Sequence, residues 1–136
     1  TAEEVKMQLA SAWPLEEEIY AEVRGRDLVS GLPKTIVVST MEIREAIEEP
    51  TAAIVDAVKV TLDKTPPELA ADIMEQGIMI TGGGSQLIGL ENMIQAETGM
   101  PVYRAKHPLY SVVLGSGQCL ENFDVLQQVL SSGSQD

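Results

Sequence analysis

Gly82, Gly83 and Gly84 stand in the stretch GIMITGGGSQLIGL, residues 77–90, between a short apolar run and a serine that opens an apolar pattern at helical spacing. Successive backbone N–H groups ahead of a helix form a positive concavity, and the helix dipole adds to it. Without a Cβ, a ligand can also approach the backbone closely. Such a device suits a nucleotide at the C-terminal end of a strand, where open α/β sheets place their ligands. A turn that merely needs glycine dihedrals fits the same residues. Two phosphate-binding motifs are excluded. A dinucleotide fingerprint needs glycine three residues after its second one, and Leu87 holds that place; a P-loop needs Gly-Lys-Ser/Thr, and no lysine is adjacent.

Other candidates for chemistry are few. His107, the single histidine, precedes Pro108 in a predicted turn and reads as a surface residue, neither base nor ligand. Cys119, the single cysteine, has no internal disulfide partner, which indicates a reducing cytoplasm, and it reads as packed within a helix. No catalytic residue and no metal site is predicted. Against 9 basic residues stand 21 acidic ones, a net charge of −12, so the basic footprint of a nucleic-acid binder is missing. Glu16, Glu17 and Glu18, then Glu42, Glu45, Glu48 and Glu49, read as a solvated acidic surface, with metal binding the weaker reading. No apolar run approaches the roughly 20 residues that span a bilayer.

The elements that must hold the glycines follow from periodicity. A helix is predicted from residue 2, with Val5, Leu9 and Ala12 on one face and Pro14 as its stop. The chain starting inside a helix without an initiator Met gives the expectation of a fragment. EEEIYAEVRG and LPKTIVVST alternate or are β-branched and predict an antiparallel strand pair. Ser39 and Glu42 have capping-box spacing, so a helix should start near Met41 and kink or break at Pro50. Thr51–Lys64 reads as a helix with Ile54, Val58 and Leu62 inward. In TPPE, Thr65 is the expected N-cap, Pro66 the first helical residue and Glu68 the partner reaching back. That helix carries Leu69, Ile73 and Met74 and stops at Gly77.

Ile78–Thr81 reads as a strand buried on both faces. Ser85 is the expected cap of a helix bearing Leu87, Leu90, Met93 and Ile94 and closed by Gly99. MPVYRA is a second strand, HPLYSVVLGSGQCLENF a helix, and DVLQQVL a further turn or two. Gly115 and Gly117 inside that helix imply close packing or a hinge. The order gives an α/β class: a small α+β piece over 1–38, a larger piece over 39–130, and a polar tail over 131–136.

At this level the chain resembles the bacterial actins of the MreB/Mbl branch of the actin superfamily. TAEEVKMQLASAWP, EVRGRDLVSGLPKTIVV, PPELAADIMEQGIMITGGG and ETGMPV carry the resemblance, in that order, over nearly the whole sequence. It implies an actin-like, ribonuclease H-like fold for the larger piece. It implies that Gly83, Gly84, Ser85, Gln86 and Leu87 lie on one side of an adenosine and Glu4, Val5, Lys6 and Met7 on the other. Lys6 can reach ribose or phosphate, Glu4 can accept from a sugar hydroxyl and Met7 can pack on a ring face. Two exposed helix charges are the plainer reading of Glu4 and Lys6.

The resemblance further implies an ATP-binding (with Mg2+), slowly hydrolysing parent that forms filaments under the membrane and guides peptidoglycan synthesis. Its partners would be other copies of itself, RodZ and the wall-elongation machinery. Membrane contact would come only through parts absent here. The phosphate loops and the Mg2+-linked carboxylate have no counterpart in the sequence, so the piece is expected to be inactive and to bind ATP weakly or not at all. With its neighbours missing, strand 78–81 is expected to recruit another copy through its edge. A sugar kinase, a chaperone-type ATPase or a non-nucleotide interaction module are the alternatives.

Overall fold

A computed structural model describes residues 2–131, the side chains only as far as 127. The chain opens with helix α1 (Ala2–Leu9), followed by β1 (Tyr20–Arg26) and β2 (Pro33–Ser39). These strands pair antiparallel from Tyr20 opposite Ser39 to Arg26 opposite Pro33, as their alternation predicts. Asp27 fixes the connecting turn by accepting from the N–H groups of Val29 (2.8 Å) and Ser30 (3.1 Å). The Ser30 and Val29 amides hold the Asp27 carboxyl below its usual range.

Helix α1 ends before Pro14 can end it. Leu9, Ala10 and Ser11 are buried, and Ser11 makes a parallel bridge to Ile88. The Ala12 N–H donates to the Ile88 carbonyl at 2.7 Å, and the Ser11 hydroxyl donates to the Trp13 carbonyl. Long-range pairing therefore pulls the chain out of the helix a turn early.

Helix α2 (Thr40–Ala46) starts on the expected capping box. Ser39 accepts from the Glu42 N–H at 3.2 Å, and Glu42 accepts from the Ser39 N–H at 2.8 Å. Next to it, Glu18 accepts from the Thr40 hydroxyl and from Arg44 (3.2 Å). Glu18 thus leaves the solvated acidic surface expected of residues 16–18. The Thr40 hydrogen bond, with help from Arg44, lowers its pKa.

The break falls at Ile47, not at Pro50, which sits in the first turn of α3 (Glu48–Asp63). A proline has no N–H for the carbonyl four residues back, and its ring crowds that carbonyl, so the helix divides upstream. Thr51 and Val55 face inward, while Ile54 is 46% exposed and lines an open groove of about 560 Å³ between α3, α4 and β3. Helix α4 (Pro67–Gln76) starts one residue later than expected, with Pro66 as cap. A residue before proline is forced out of the helical region, so Pro66 cannot be helical while Pro67 can. The Thr65 hydroxyl instead donates to the Thr61 carbonyl at 2.7 Å, and no side chain caps α4, Glu68 included.

Strand β3 (Ile78–Ile80) pairs parallel with β4 (Val102–Arg104), and α5 (Leu90–Thr98) connects them. So β3 does have a neighbour. Its burial is one-sided, because Met79 is 64% exposed. Val55, Leu90, Ile94 and Val102 form the core, with Ile78, Ile80, Leu87 and Met93 packed against it. Helices α6 (Ser111–Glu121) and α7 (Phe123–Ser131) follow. No residue of α6 is buried, and a Cβ at Gly115 or Gly117 would meet nothing within 4 Å. Close packing therefore does not explain those glycines among the described residues. The expected tail lies outside the described residues beyond Ser131.

Candidate functional site

Strand β3 delivers the chain to Gly82, whose φ of 83° is left-handed and calls for glycine. The Gly82 N–H donates to the Pro108 carbonyl at 2.9 Å. A 3-10 turn follows over Gly83–Gln86. Ser85 is buried inside it, and its hydroxyl donates to the Gly82 carbonyl at 2.7 Å. Contrary to the sequence expectation, Ser85 does not cap α5; left-handed Gly89 takes that position. The Gly82 carbonyl thus accepts twice from Ser85, from its hydroxyl and from its N–H at 3.2 Å, so the side chain closes the turn.

Gly83 and Gly84 differ from Gly82. Neither has a positive φ. A Cβ on Gly84 would meet nothing within 4 Å, and one on Gly83 would meet only the Leu109 side chain at an ordinary 3.6 Å. In a helical turn glycine costs up to about 1 kcal/mol relative to alanine. Neither dihedral nor neighbour requires it at these two positions. Gln86 is exposed, while the Leu87 side chain packs on the core and its N–H donates to the Gly84 carbonyl at 3.2 Å.

On α1, Glu4, Lys6 and Met7 are exposed and Val5 is half-buried. Lys6 pairs with Glu3 at 2.7 Å. Behind the helix, Val5 helps line a cleft of about 530 Å³ with Val23, Val38, Ile43 and Ile47. The two groups of predicted residues are joined through backbone. Leu9 ends α1 two residues before Ser11, Gln86 ends the glycine turn two residues before Ile88, and Ser11 pairs with Ile88. One residue on, Gly89 has a φ of 75° and a Cβ there would fall on Trp13. Sequence reasoning missed this Trp13–Gly89 joint. Its one legible signal was a glycine inside an otherwise helical apolar pattern. His107 is exposed, and its carbonyl accepts from the Tyr110 N–H (3.0 Å) and the Ser111 hydroxyl (2.9 Å).

Among the described residues, no group of three or more His, Cys, Asp or Glu side chains is placed to hold a metal, and no helix is long and apolar enough to cross a membrane.

A family model described as MreB/Mbl protein matches residues 1–128. The chain belongs to the MreB/Mbl family. It is 45% identical to the cell shape-determining protein Mbl of Bacillus subtilis (strain 168) over 93% of this chain and 38% of that protein. It is 46% identical to the cell shape-determining protein MreB of Escherichia coli (strain K12) over 92% of this chain and 36% of that protein. The chain thus spans less than two fifths of the length of either relative. In three dimensions it matches MreB5 of Spiroplasma citri bound to ADP, with a TM-score of 0.86 and 35% identity over 90% of this chain and 37% of that one. It also matches a MamK double helical filament, with a TM-score of 0.63 and 25% identity over 79% of this chain and 32% of that one. The α/β fold of this MreB/Mbl chain is therefore that of part of an actin-like protein, and the family match removes the kinase and chaperone alternatives.

Proposed function

We propose that this chain supplies the adenosine side of the ATP site in a filament-forming bacterial actin that organises cell shape and peptidoglycan synthesis. The observation that carries the reading is the pair Gly83 and Gly84, bare of side chain in a turn that demands glycine only at Gly82. A flat ligand lying on that backbone would account for both, since any Cβ there would lift it away. Solution of the similar MreB5 with ADP supports the choice of ligand. In this reading, Gly83, Gly84, Ser85, Gln86 and Leu87 line one side with backbone. From α1, Glu4 accepts from a ribose hydroxyl, Lys6 reaches ribose or phosphate, Met7 covers a ring face and Val5 anchors the helix. The Lys6–Glu3 pair is exposed and of small energy, so it yields readily to a ligand.

No residue of this chain is assigned to catalysis or to Mg2+; the metal would reach the site with the phosphates. The division into a piece over 1–38 and one over 39–130 belongs to the same proposal, as does a cytoplasmic place along the membrane. Its partners would be further copies of the chain, supported by the likeness to a filament of MamK, together with RodZ and the wall-elongation machinery. Replacing Gly84 by valine in a full-length MreB/Mbl protein carrying this chain tests the reading. The fold should persist by circular dichroism while ATP affinity falls at least tenfold by calorimetry; unchanged affinity would leave the glycines as a turn in an interaction module.

A further inference from the structure

We infer that the contact of Trp13 on Gly89 sets the gap between the two halves of the proposed nucleoside site, which makes Gly89 a positioning residue. The inference rests on the nucleotide reading above and adds to it the part that spaces α1 from the glycine turn. A Cβ at Gly89 would lie 2.4 Å from the Trp13 Cβ, 3.0 Å from its N and 3.2 Å from its Cα. Two stretches of backbone thus meet here with no room for a side chain between them. Gly82, Gly83 and Gly84 have no neighbour closer than 3.6 Å in the same sense.

The joint is stiff on both sides. On the turn side, the N–H groups of Ser85, Leu87 and Leu90 donate to the carbonyls of Gly82, Gly84 and Leu87, each at 3.2 Å, which ties the glycines to the start of α5. On the helix side, the Ala10 N–H donates to the Lys6 carbonyl at 2.9 Å. Ser11 is fully buried, and its hydroxyl accepts from the Trp13 N–H at 3.3 Å. The Ala12 N–H, donating to the Ile88 carbonyl at 2.7 Å, locks the two segments together.

Along its length α1 is held less firmly. Its one buried residue is Leu9, at the joint end. Ala2 and Val5 border the open cleft of about 530 Å³ that separates the helix from Val23, Val38 and Ile43. The helix is therefore anchored at one end, and the direction in which it carries Glu4, Lys6 and Met7 follows from the anchor. A carbon added to Gly89 would force the Trp13 segment back by about 1 Å before the carbon–carbon contact became ordinary. That retreat would move residues 4–7 away from the turn without altering any residue that lines the site.

A substitution at Gly89 also meets left-handed strain, and α5 carries its own control for it. Gly99, at the other end of the helix, is left-handed as well, with a φ of 70°, but a Cβ there would meet nothing within 4 Å. Change at Gly99 imposes strain alone, whereas change at Gly89 imposes strain and displacement.

The test compares Gly89→Ala with Gly99→Ala, and Gly89→Asn with Gly99→Asn, in a full-length MreB/Mbl protein carrying this chain. Asparagine enters the left-handed region more readily than alanine, so the second pair serves where alanine unfolds the protein. MgATP affinity by calorimetry should fall by about fivefold or more in the Gly89 variants and stay within about twofold of wild type in the Gly99 variants. In isotope-labelled protein, the amide shifts that MgATP induces at residues 4–7 should shrink in the Gly89 variants while those at residues 82–87 persist. Equal affinity at the two positions, or loss of the fold by both Gly89 variants while the Gly99 variants keep it, would overturn the inference; wild-type shifts at both groups of residues would then leave the nucleotide reading standing. Absence of those shifts in the wild type would overturn both.

Discussion

Alanine at Gly89 would have to adopt a left-handed backbone and set its Cβ on Trp13, whereas alanine at Gly84 meets neither strain nor neighbour. Gly89→Ala should lower unfolding stability by about 2 kcal/mol or more in urea melts, from the dihedral strain alone. Gly84→Ala should leave stability unchanged or raise it by up to about 1 kcal/mol, because alanine is the better residue in a helical turn. Equal losses at the two positions would show that Gly84 has a structural task in the fold. Titratable residues allow a second test at this scale. Hydrogen bonds from Thr40, from the Ser30 amide and from the Ser39 amide depress the carboxyls of Glu18, Asp27 and Glu42 respectively. A depressed folded pKa contributes stability above the unfolded value, and that contribution disappears as pH falls through the folded one. Stability should therefore hold at neutral pH and decline below the ordinary carboxylate range of about 4. Glu42→Gln should flatten part of that acid limb, which urea midpoints measured from pH 7 to pH 2 will show.

Helix α2 depends on its cap more than on its length of 7 residues. Ser39→Ala removes the acceptor for the Glu42 N–H and should cost about 1 kcal/mol, read from thermal midpoints. That cap was legible in the sequence because a capping box is local: the serine, the glutamate and their spacing suffice. The strand pair at residues 20–39 and the left-handed stops at Gly77 and Gly99 were legible for the same reason. Features decided by distant partners were not. The early end of α1 needs Ile88, and the one-sided burial of β3 depends on α3 and α5, whose Val55 and Ile94 belong to the core that covers Ile78 and Ile80 and not Met79. The inward turn of Val55 in place of Ile54 depends on where α5 packs, since both residues lie on plausible apolar faces. In the candidate site, the glycines were legible as a device. The joint of Trp13 on Gly89 was not, because it is made by segments far apart in sequence.

A net charge of −12 makes copies of the chain repel one another, while β3 keeps one edge without a hydrogen-bonded strand among the described residues. Self-association through that edge should therefore increase with protein concentration and with added salt, which screens the repulsion. Sedimentation velocity will follow it. Met79→Lys, at the exposed middle of β3, should shift the distribution toward monomer; a wild-type monomer at every concentration and salt would rule the edge out. The molecule's central device lies at the other end of β3, where backbone without side chains meets the chain reached from α1. An ATP titration of an isotope-labelled full-length MreB/Mbl protein carrying this chain, followed residue by residue, tests it most directly. Amides of residues 82–87 and of residues 4–7 should shift together along one binding curve. Shifts confined to either group, or none at millimolar ATP, would contradict an adenosine site shared between them.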